Sequence, residues 1–342
     1  MTQFFIQDGT IFLNQVISAP PGFIVGPISV VLGMIIDFIF NMVSLITPVG
    51  ALGVSIIIMT IIVRTALLPT AFKMQRNMMK TREMKPEMDK IKEKYGDTKD
   101  PELRRKMQAE MQALQSKHGV NMLASCLPML ITWPLFMGLF VVLGQAFMFI
   151  GSVGDAYSAI SSVLIQQGPE FLNEVIIPIV RPTVPTGMII DLLVIEDMNR
   201  AVHVFSPENW EYIFSHFSGE QLANITQLHA QKESIQSFLG LNLVEPAGWM
   251  WPGVILPILS AGTMFLAQFL MARSNPATDA QQQNMQKVTM IMFPLMFGFF
   301  TINAAAGVGL YWVMLNVYMI VQHYFINRYY LKKDGLLESK KA

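Results

Sequence analysis

The chain has 342 residues, of which 52% are apolar and only 14% charged, and its formal net charge is zero. Mean hydropathy is +0.43. This composition excludes a soluble domain and describes an integral membrane protein, and the single cysteine, Cys126, excludes an internal disulfide framework.

Residues 1–10 carry no Lys or Arg, so the positive n-region of a cleavable signal peptide is missing. The segment 1–48 contains an apolar stretch, 27–47. Within it Gly33, Asp37 and Asn41 fall at i, i+4 and i+8, with Ser29 and Ser44 close to the same stripe. That polar stripe predicts an amphipathic helix on the outer membrane surface, with a sixth span as the alternative. Residues 49–72 read as the first span. They hold one charge, Arg64, in the run Ile61-Ile-Val-Arg64-Thr-Ala-Leu-Leu-Pro69. The next cation, Lys73, is nine residues on, about 13 Å along a straight helix. Half the hydrocarbon core is about 15 Å, so Arg64 is expected well inside the apolar layer. Burial there costs roughly 2.5–3.5 kcal/mol on insertion scales. No acid occurs in another expected span, so a water-filled cationic cavity is the leading expectation.

Residues 73–120 predict a helical hairpin. Pro86 opens one arm and Gly96-Asp97 ends it; Asp100-Pro101-Glu102 starts the other, and His118-Gly119 stops it. Met88, Ile91 and Tyr95 form one apolar stripe, and Leu103, Met107, Met111 and Leu114 the other. The hairpin is expected either to hold two spans in register or to act as a basic arm contacting a ribosome, substrate or lipid. The second span is 121–150. An outer loop, 151–250, follows, with helices expected from Ser206-Pro207 and over Gln221–Leu239. Its His203, His216 and His229 lack metal-ligand spacing and read as surface residues. Spans then fall at 251–272, 287–304 and 308–327, separated by a connection at 273–286 and by a turn near Asn303–Gly309. The tail is 328–342.

Cation placement sets the orientation. Segment 73–118 has thirteen Lys/Arg and eight Asp/Glu, and the tail five and two, whereas loop 151–250 has three and eleven. The hairpin and C-terminus are therefore expected in the cytoplasm, with the N-terminus and the long loop outside. Candidate side chains around the cavity are Arg64, Thr60, Thr132, Gln145, Gln268 and Asn316. For each polar member other than Arg64, a hydrogen bond between helices competes with contact to a client. Tyr311 and Trp312 lie near the outer end of the last span, where an aromatic belt competes with groove sealing or client contact.

Several blocks resemble the YidC/Oxa/Alb membrane protein insertases. They are the Arg64 span with Pro69 and Lys73-Met-Gln75; Lys94-Tyr95 and His118-Gly119-Val120-Asn121; Cys126-Leu-Pro128 through Trp133-Pro134-Leu-Phe; Met292-Phe-Pro294 through Gly298; Gly307, Gly309-Leu-Tyr-Trp312 and Asn316; and Tyr324-Phe-Ile-Asn-Arg328. The resemblance implies an all-α polytopic membrane protein. Its five-helix transmembrane core carries an outer-surface amphipathic helix, a cytoplasmic helical hairpin and, here, a large helical extracytoplasmic loop. It implies a hydrophilic groove sealed on the outside, in which Arg64 attracts acidic flanks of client proteins. No catalytic residue, cofactor or metal site belongs to the family. Nascent membrane proteins are the implied partners, in a bacterial plasma membrane, with lipids around them. A ribosome and a Sec translocon remain open as partners, and no specific nucleic-acid recognition is expected. Thr132 stands where the family often has glutamine, and the outer loop 151–250, about 100 residues here, is much shorter in the members it resembles most. An anion-binding transporter or channel and a non-catalytic assembly factor are the competing readings.

Overall fold

A computed structural model describes residues 23–96, 100–119, 122–183, 191–274 and 280–333. The expectations for residues 1–22, Asp97, Val120-Asn121, residues 275–279 of the 273–286 connection and the end of the tail fall wholly or partly outside the described residues. The described chain is almost entirely helical: α1 Val25–Ser44, α2 Ala51–Ala66, α3 Leu68–Glu83, α4 Lys85–Tyr95, α5 Pro101–Lys117, α6 Met122–Gly144, α7 Ala146–Phe149, α8 Gly151–Gln166, α9 Pro169–Phe171, a π-helical turn Leu172–Ile176, α10 Ile177–Val180, α11 Ile195–His203, α12 Pro207–Phe214, α13 Gly219–Gln236, then β1 Ser237–Phe238, β2 Leu241–Asn242, α14 Ile255–Ser274, α15 Ala280–Asn303 and α16 Ala306–Lys333.

Among the described residues, three helical stretches are long and apolar enough to cross a membrane: α1, α14 and Gln283–Asn303 of α15. The pair α2 and α3 passes the same test jointly, bent by 54°. Length and apolarity thus make α1 a span candidate as well, although its side-chain pattern predicts an interfacial helix. α16 is longer than these, but Asn316, Gln322 and His323 interrupt its apolar run, and it is not among them. The turn between α15 and α16 falls at Ala304-Ala305, inside the expected stretch.

Contacts divide the chain into two compact units. The first comprises Met1–Met59, Leu135–Ile258 and Gly298–Trp312. Here α1 buries Leu32, Ile36, Ile39, Phe40 and Val43, spaced three and four apart as one helical face requires. Its polar stripe caps another helix. The Gly151 N–H donates to Asp37 Oδ1 at 2.8 Å, and Ser152 Oγ donates to Asn41 Oδ1 at 3.4 Å. A carboxylate at the start of α8 satisfies an orphan N–H and complements the helix dipole. That start is a correction, because the second span was expected to run to 150. α6 stops at Gly144, Gln145 leaves helical geometry, and Ile150 is extended before α8 begins.

The outer loop packs α8 against α11 and α13. Ser161 Oγ donates to Asn199 Oδ1 at 2.6 Å, and Asn199 Nδ2 donates to Ser158 Oγ at 3.1 Å. Phe147 stacks on Tyr157 at 5.1 Å, and Trp210 meets Phe205 edge-on. α12 opens on a capping box, with the Asn209 N–H bonded to Ser206 Oγ and the Ser206 N–H to Asn209 Oδ1. The next helix ends earlier than expected. After Gln236 the chain forms a hairpin pairing Ser237 with Asn242 and Phe238 with Leu241. Its two turn residues, Leu239 and Gly240, have φ of 52° and 81°, the primed-turn geometry that suits strand twist. The chain then pairs with the turn between α15 and α16: the Gly307 N–H donates to the Leu243 carbonyl and the Ala306 N–H to the Glu245 carbonyl, both at 2.7 Å.

The histidines also correct the sequence reading. His203 is half-buried, its Nδ1 lies out of reach of solvent, and its ring packs on Phe147 at 5.2 Å. His229 sits against Trp210 at 4.4 Å. Only His216 fits a surface position, edge-on to Tyr212. Burial, then the Lys232 charge, pushes the His203 pKa down to about 4. Lys232 is itself buried, paired with Glu233 Oε1 at 2.9 Å and held over the Trp210 and Tyr157 rings.

The second unit comprises Thr60–Pro134, Leu259–Phe297 and Val313–Ala342. It contains the hairpin, with α4 packed on α5. The arms join through Met84, Met88 and Leu114, flanked by Ile91 and Met111. Asp100 caps α5 by accepting from the Glu102 N–H, and Gly96 turns at φ 61°. The apolar contact does not run the whole length, because Leu103 is exposed. Polar bonds tie the arms instead: Lys94 Nζ and Tyr95 Oη both donate to Glu110 Oε1, at 2.6 and 2.9 Å, and His118 Nε2 lies 3.1 Å from Glu87 Oε1. The hydrogen bonds from Lys94, then from Tyr95, hold the Glu110 carboxyl below its ordinary pKa.

Candidate functional site

Arg64 stands in the last turn of α2, where the carbonyl end of a helix dipole favours a cation. It is half-buried. Among the described residues no carboxylate forms an ion pair with it. The helix ends there because of Pro69. Its nitrogen has no hydrogen to donate to the Thr65 carbonyl, and its ring crowds that carbonyl. The chain bends by 54° between α2 and α3 and leaves a polar backbone group one residue from the guanidinium. The bend also shortens the depth expected for Arg64. Measured along the α2 axis, Lys73 lies about 10 Å beyond Arg64 rather than about 13 Å.

Other polar groups of the same unit surround this helix end. Thr60, one turn earlier, is buried. Thr65 Oγ1 lies 3.0 Å from Tyr318 Oη of α16. Tyr318 is a residue the sequence reading missed, although a signal existed: it follows Tyr311 by seven positions, two helical turns down the same face.

Asn316 faces elsewhere. Two residues along a helix are separated by about 200°, so the side chain opposes that of Tyr318. Asn316 is buried, and its Nδ2 donates to Thr263 Oγ1 at 3.1 Å and to the Ser260 carbonyl at 3.4 Å, both on α14. It serves helix–helix bonding, one of the two roles its type allows. Ser260, Thr263 and Ala267 of α14 recur at three and four residues and form the stripe it meets. Thr132 and Gln268 are half-buried in the same unit.

The remaining three candidates belong to the first unit. Gln145 is half-buried at the break after α6, where its backbone N–H donates to the Val141 carbonyl at 3.0 Å. Tyr311 and Trp312 are buried, with 4% and 5% exposure. Trp312 stacks on Phe136 of α6 with ring centres 5.7 Å apart. An aromatic belt requires rings at the lipid boundary, so burial removes that reading for this pair and leaves interior packing.

A helical chain with several apolar span candidates, an arginine at a proline bend that forms no ion pair among the described residues, and a basic two-helix arm defines a helical membrane protein. A sequence model of the family described as 60Kd inner membrane protein matches residues 44–333, and the chain belongs to that family. Named relatives include the membrane protein insertase YidC 1 of Bacillus anthracis, 28% identical over 84% of this chain and 76% of its own length. Another is the membrane protein insertase MisCA of Bacillus subtilis, 29% identical over 82% of this chain and 72% of its own. The membrane protein insertase YidC of Neisseria meningitidis is 29% identical over 82% of this chain, but only 33% of that relative is covered.

Proposed function

We propose that the chain is a membrane protein insertase. It receives apolar segments of nascent membrane proteins from the cytoplasm and passes them into the bilayer through a hydrophilic groove. The family membership, with relatives named insertases over most of this chain's length, carries the reading. The position of Arg64 supports a mechanism. A half-buried guanidinium without an ion pair among the described residues is available to an acidic flank of a client. A pair of unit charges 4 Å apart is worth about 4 kcal/mol at an effective dielectric of 20. Burial of the client's apolar segment drives the step, at about 0.8 kcal/mol per CH₂, so a twenty-residue helix outweighs one or two charges without fuel or enzymatic chemistry.

In this reading Thr60, Thr132, Gln145 and Gln268 wet the groove wall, while Tyr311 and Trp312 seal it. The five spans place the N-terminus outside and the C-terminus in the cytoplasm of a bacterium. The hairpin's cations meet the client, the ribosome or lipid headgroups, and a Sec translocon is a further candidate partner. The test is rescue of a cell depleted of its own insertase. Growth restored by the intact gene, with client segments protected at the correct side, supports the reading. Full-length folded protein in the membrane without rescue of any client overturns it.

A further inference from the structure

Among the described residues from 151 to 254, the most exposed large apolar side chains are Leu239 at 84%, Met250 at 82%, Trp251 at 78% and Trp249 at 63%. All four belong to the first compact unit. Their places relative to the apolar helices are fixed in two ways. Trp249, Met250 and Trp251 immediately precede α14, which starts at Ile255 and is apolar enough to span a membrane. Leu239 is the tip of the β1–β2 hairpin, and the neighbouring Phe238 ring lies on Gly50 and Gly53 at the head of α2. A Cβ at Gly53 would overlap that ring, so the glycine is what lets the hairpin tip rest there. Ile46, 87% exposed, stands on the connection that leads into the same helix.

Both groups therefore stand where an apolar helix begins. Leu239 adds a second argument. Its φ of 52° is a conformation that glycine or asparagine adopts readily and leucine does not. A bulky apolar residue at such a position gains nothing from the hairpin, since its side chain points away from the fold. Charge agrees with this placement. Loop 151–250 carries eleven acids, yet none occurs from Pro246 to Ala272 or from Ser234 to Val244. Indole rings favour the level between headgroups and acyl chains, because the ring is apolar and its N–H seeks a polar partner.

We propose that Leu239 and Trp249–Trp251 form a foot by which the outer loop inserts into the headgroup–acyl boundary of the lipid surface. The foot holds the loop's helical part against the membrane at the heads of α2 and α14. The occupant is phospholipid, not a second protein. This assignment does not depend on the insertase reading.

The test uses the full chain in vesicles of phosphatidylcholine brominated on the upper acyl chain. Trp133→Phe removes the exposed indole of α6, and Trp210 and Trp312 are buried. The emission of Trp249 and Trp251 is the difference between the W133F chain and the W133F/W249F/W251F chain. The proposal expects that emission to fall by roughly half on bromination and to be shielded from aqueous iodide. A bimane label at Leu239→Cys, in a Cys126→Ser background, is expected to be quenched by the same lipids. Quenching by iodide with no response to brominated lipid, at both places, overturns it. Iodide and lipid both excluded would show a protein partner or self-association instead, and would also overturn it.

Discussion

The hairpin offers a prediction whose size follows from packing. Met84 is fully buried at the α3–α4 junction, where it packs on Met88 and Leu114. Met84→Ala deletes three side-chain heavy atoms from the only cluster that joins the arms by apolar contact among the described residues. Core Met→Ala changes cost about 2–5 kcal/mol. This cluster is small and bordered by solvent, so water or Met111 can fill part of the void, and the low end, about 2 kcal/mol, applies. At 1.36 kcal/mol per decade that is roughly a 30-fold rise in the opening equilibrium of the arm. Amide hydrogen exchange in α5 is the assay, read against α8 and α13, which should not change. Leu103→Ala, at a half-exposed position of the same stripe, should change α5 exchange by less than about threefold. Equal effects of the two substitutions would refute the conclusion that the zipper is confined to the membrane-proximal part of the hairpin.

Further outcomes follow from the other contacts. His203 is neutral when folded because its pKa is pushed down to about 4, so its stabilisation is complete above about pH 6.5 and is lost as pH falls toward 4. Allowing for partial exposure, the loss is about 2–3 kcal/mol. Glu245, raised by burial, titrates with the opposite sign, so the informative quantity is the difference between wild type and His203→Phe in thermal unfolding by Trp210 fluorescence at pH 7.5 and 4.5. Equal pH dependence of the two proteins would contradict the assignment. Gly53→Ala should destabilise the wild type through the Phe238 ring, yet stabilise a Phe238→Ala background by up to about 1 kcal/mol from helix propensity. Melting temperatures of the four proteins decide it. Asn316→Ala should lower stability by about 0.6–1.7 kcal/mol while leaving insertion per folded molecule unchanged. A selective loss of insertion would put Asn316 in contact with clients after all.

Local rules carried much of the fold into the sequence. The hairpin was legible because Asp100-Pro101, Pro86 and Gly96 are start and stop signals that act within a few residues. The Ala304-Ala305 turn was legible because 40 uncharged residues exceed one bilayer crossing. What escaped was set by distant partners. Asp37 caps Gly151 across 114 positions, so its stripe looked like a face for water. The His203 pocket is assembled from α7, α8 and α11, and no spacing within one segment announces it. The β1–β2 turn was missed because leucine occupies a position where asparagine or glycine would have signalled it. At the candidate site, Arg64 was evident from its charge alone, and Pro69 five residues later held the bend in plain view. Asn316 and Tyr318 oppose each other on any helix, but which of them turns toward α2 and which toward α14 depends on helix rotation, which the apolar pattern of α16 fixes poorly because polar residues lie on several of its sides.

The central claim is that the Arg64 charge attracts acidic client flanks. Purified chain in sealed proteoliposomes should be given two single-span clients that differ only in an acidic or a neutral translocated flank, and insertion followed by protease protection. Solvent screening of a half-buried guanidinium reduces the pair to about 1.4 kcal/mol, so Arg64→Ala is expected to slow the acidic client by roughly tenfold, with Arg64→Lys restoring most of the rate and the neutral client unaffected by either. Loss of both clients to the same extent in Arg64→Ala, or no loss of the acidic one, would contradict it.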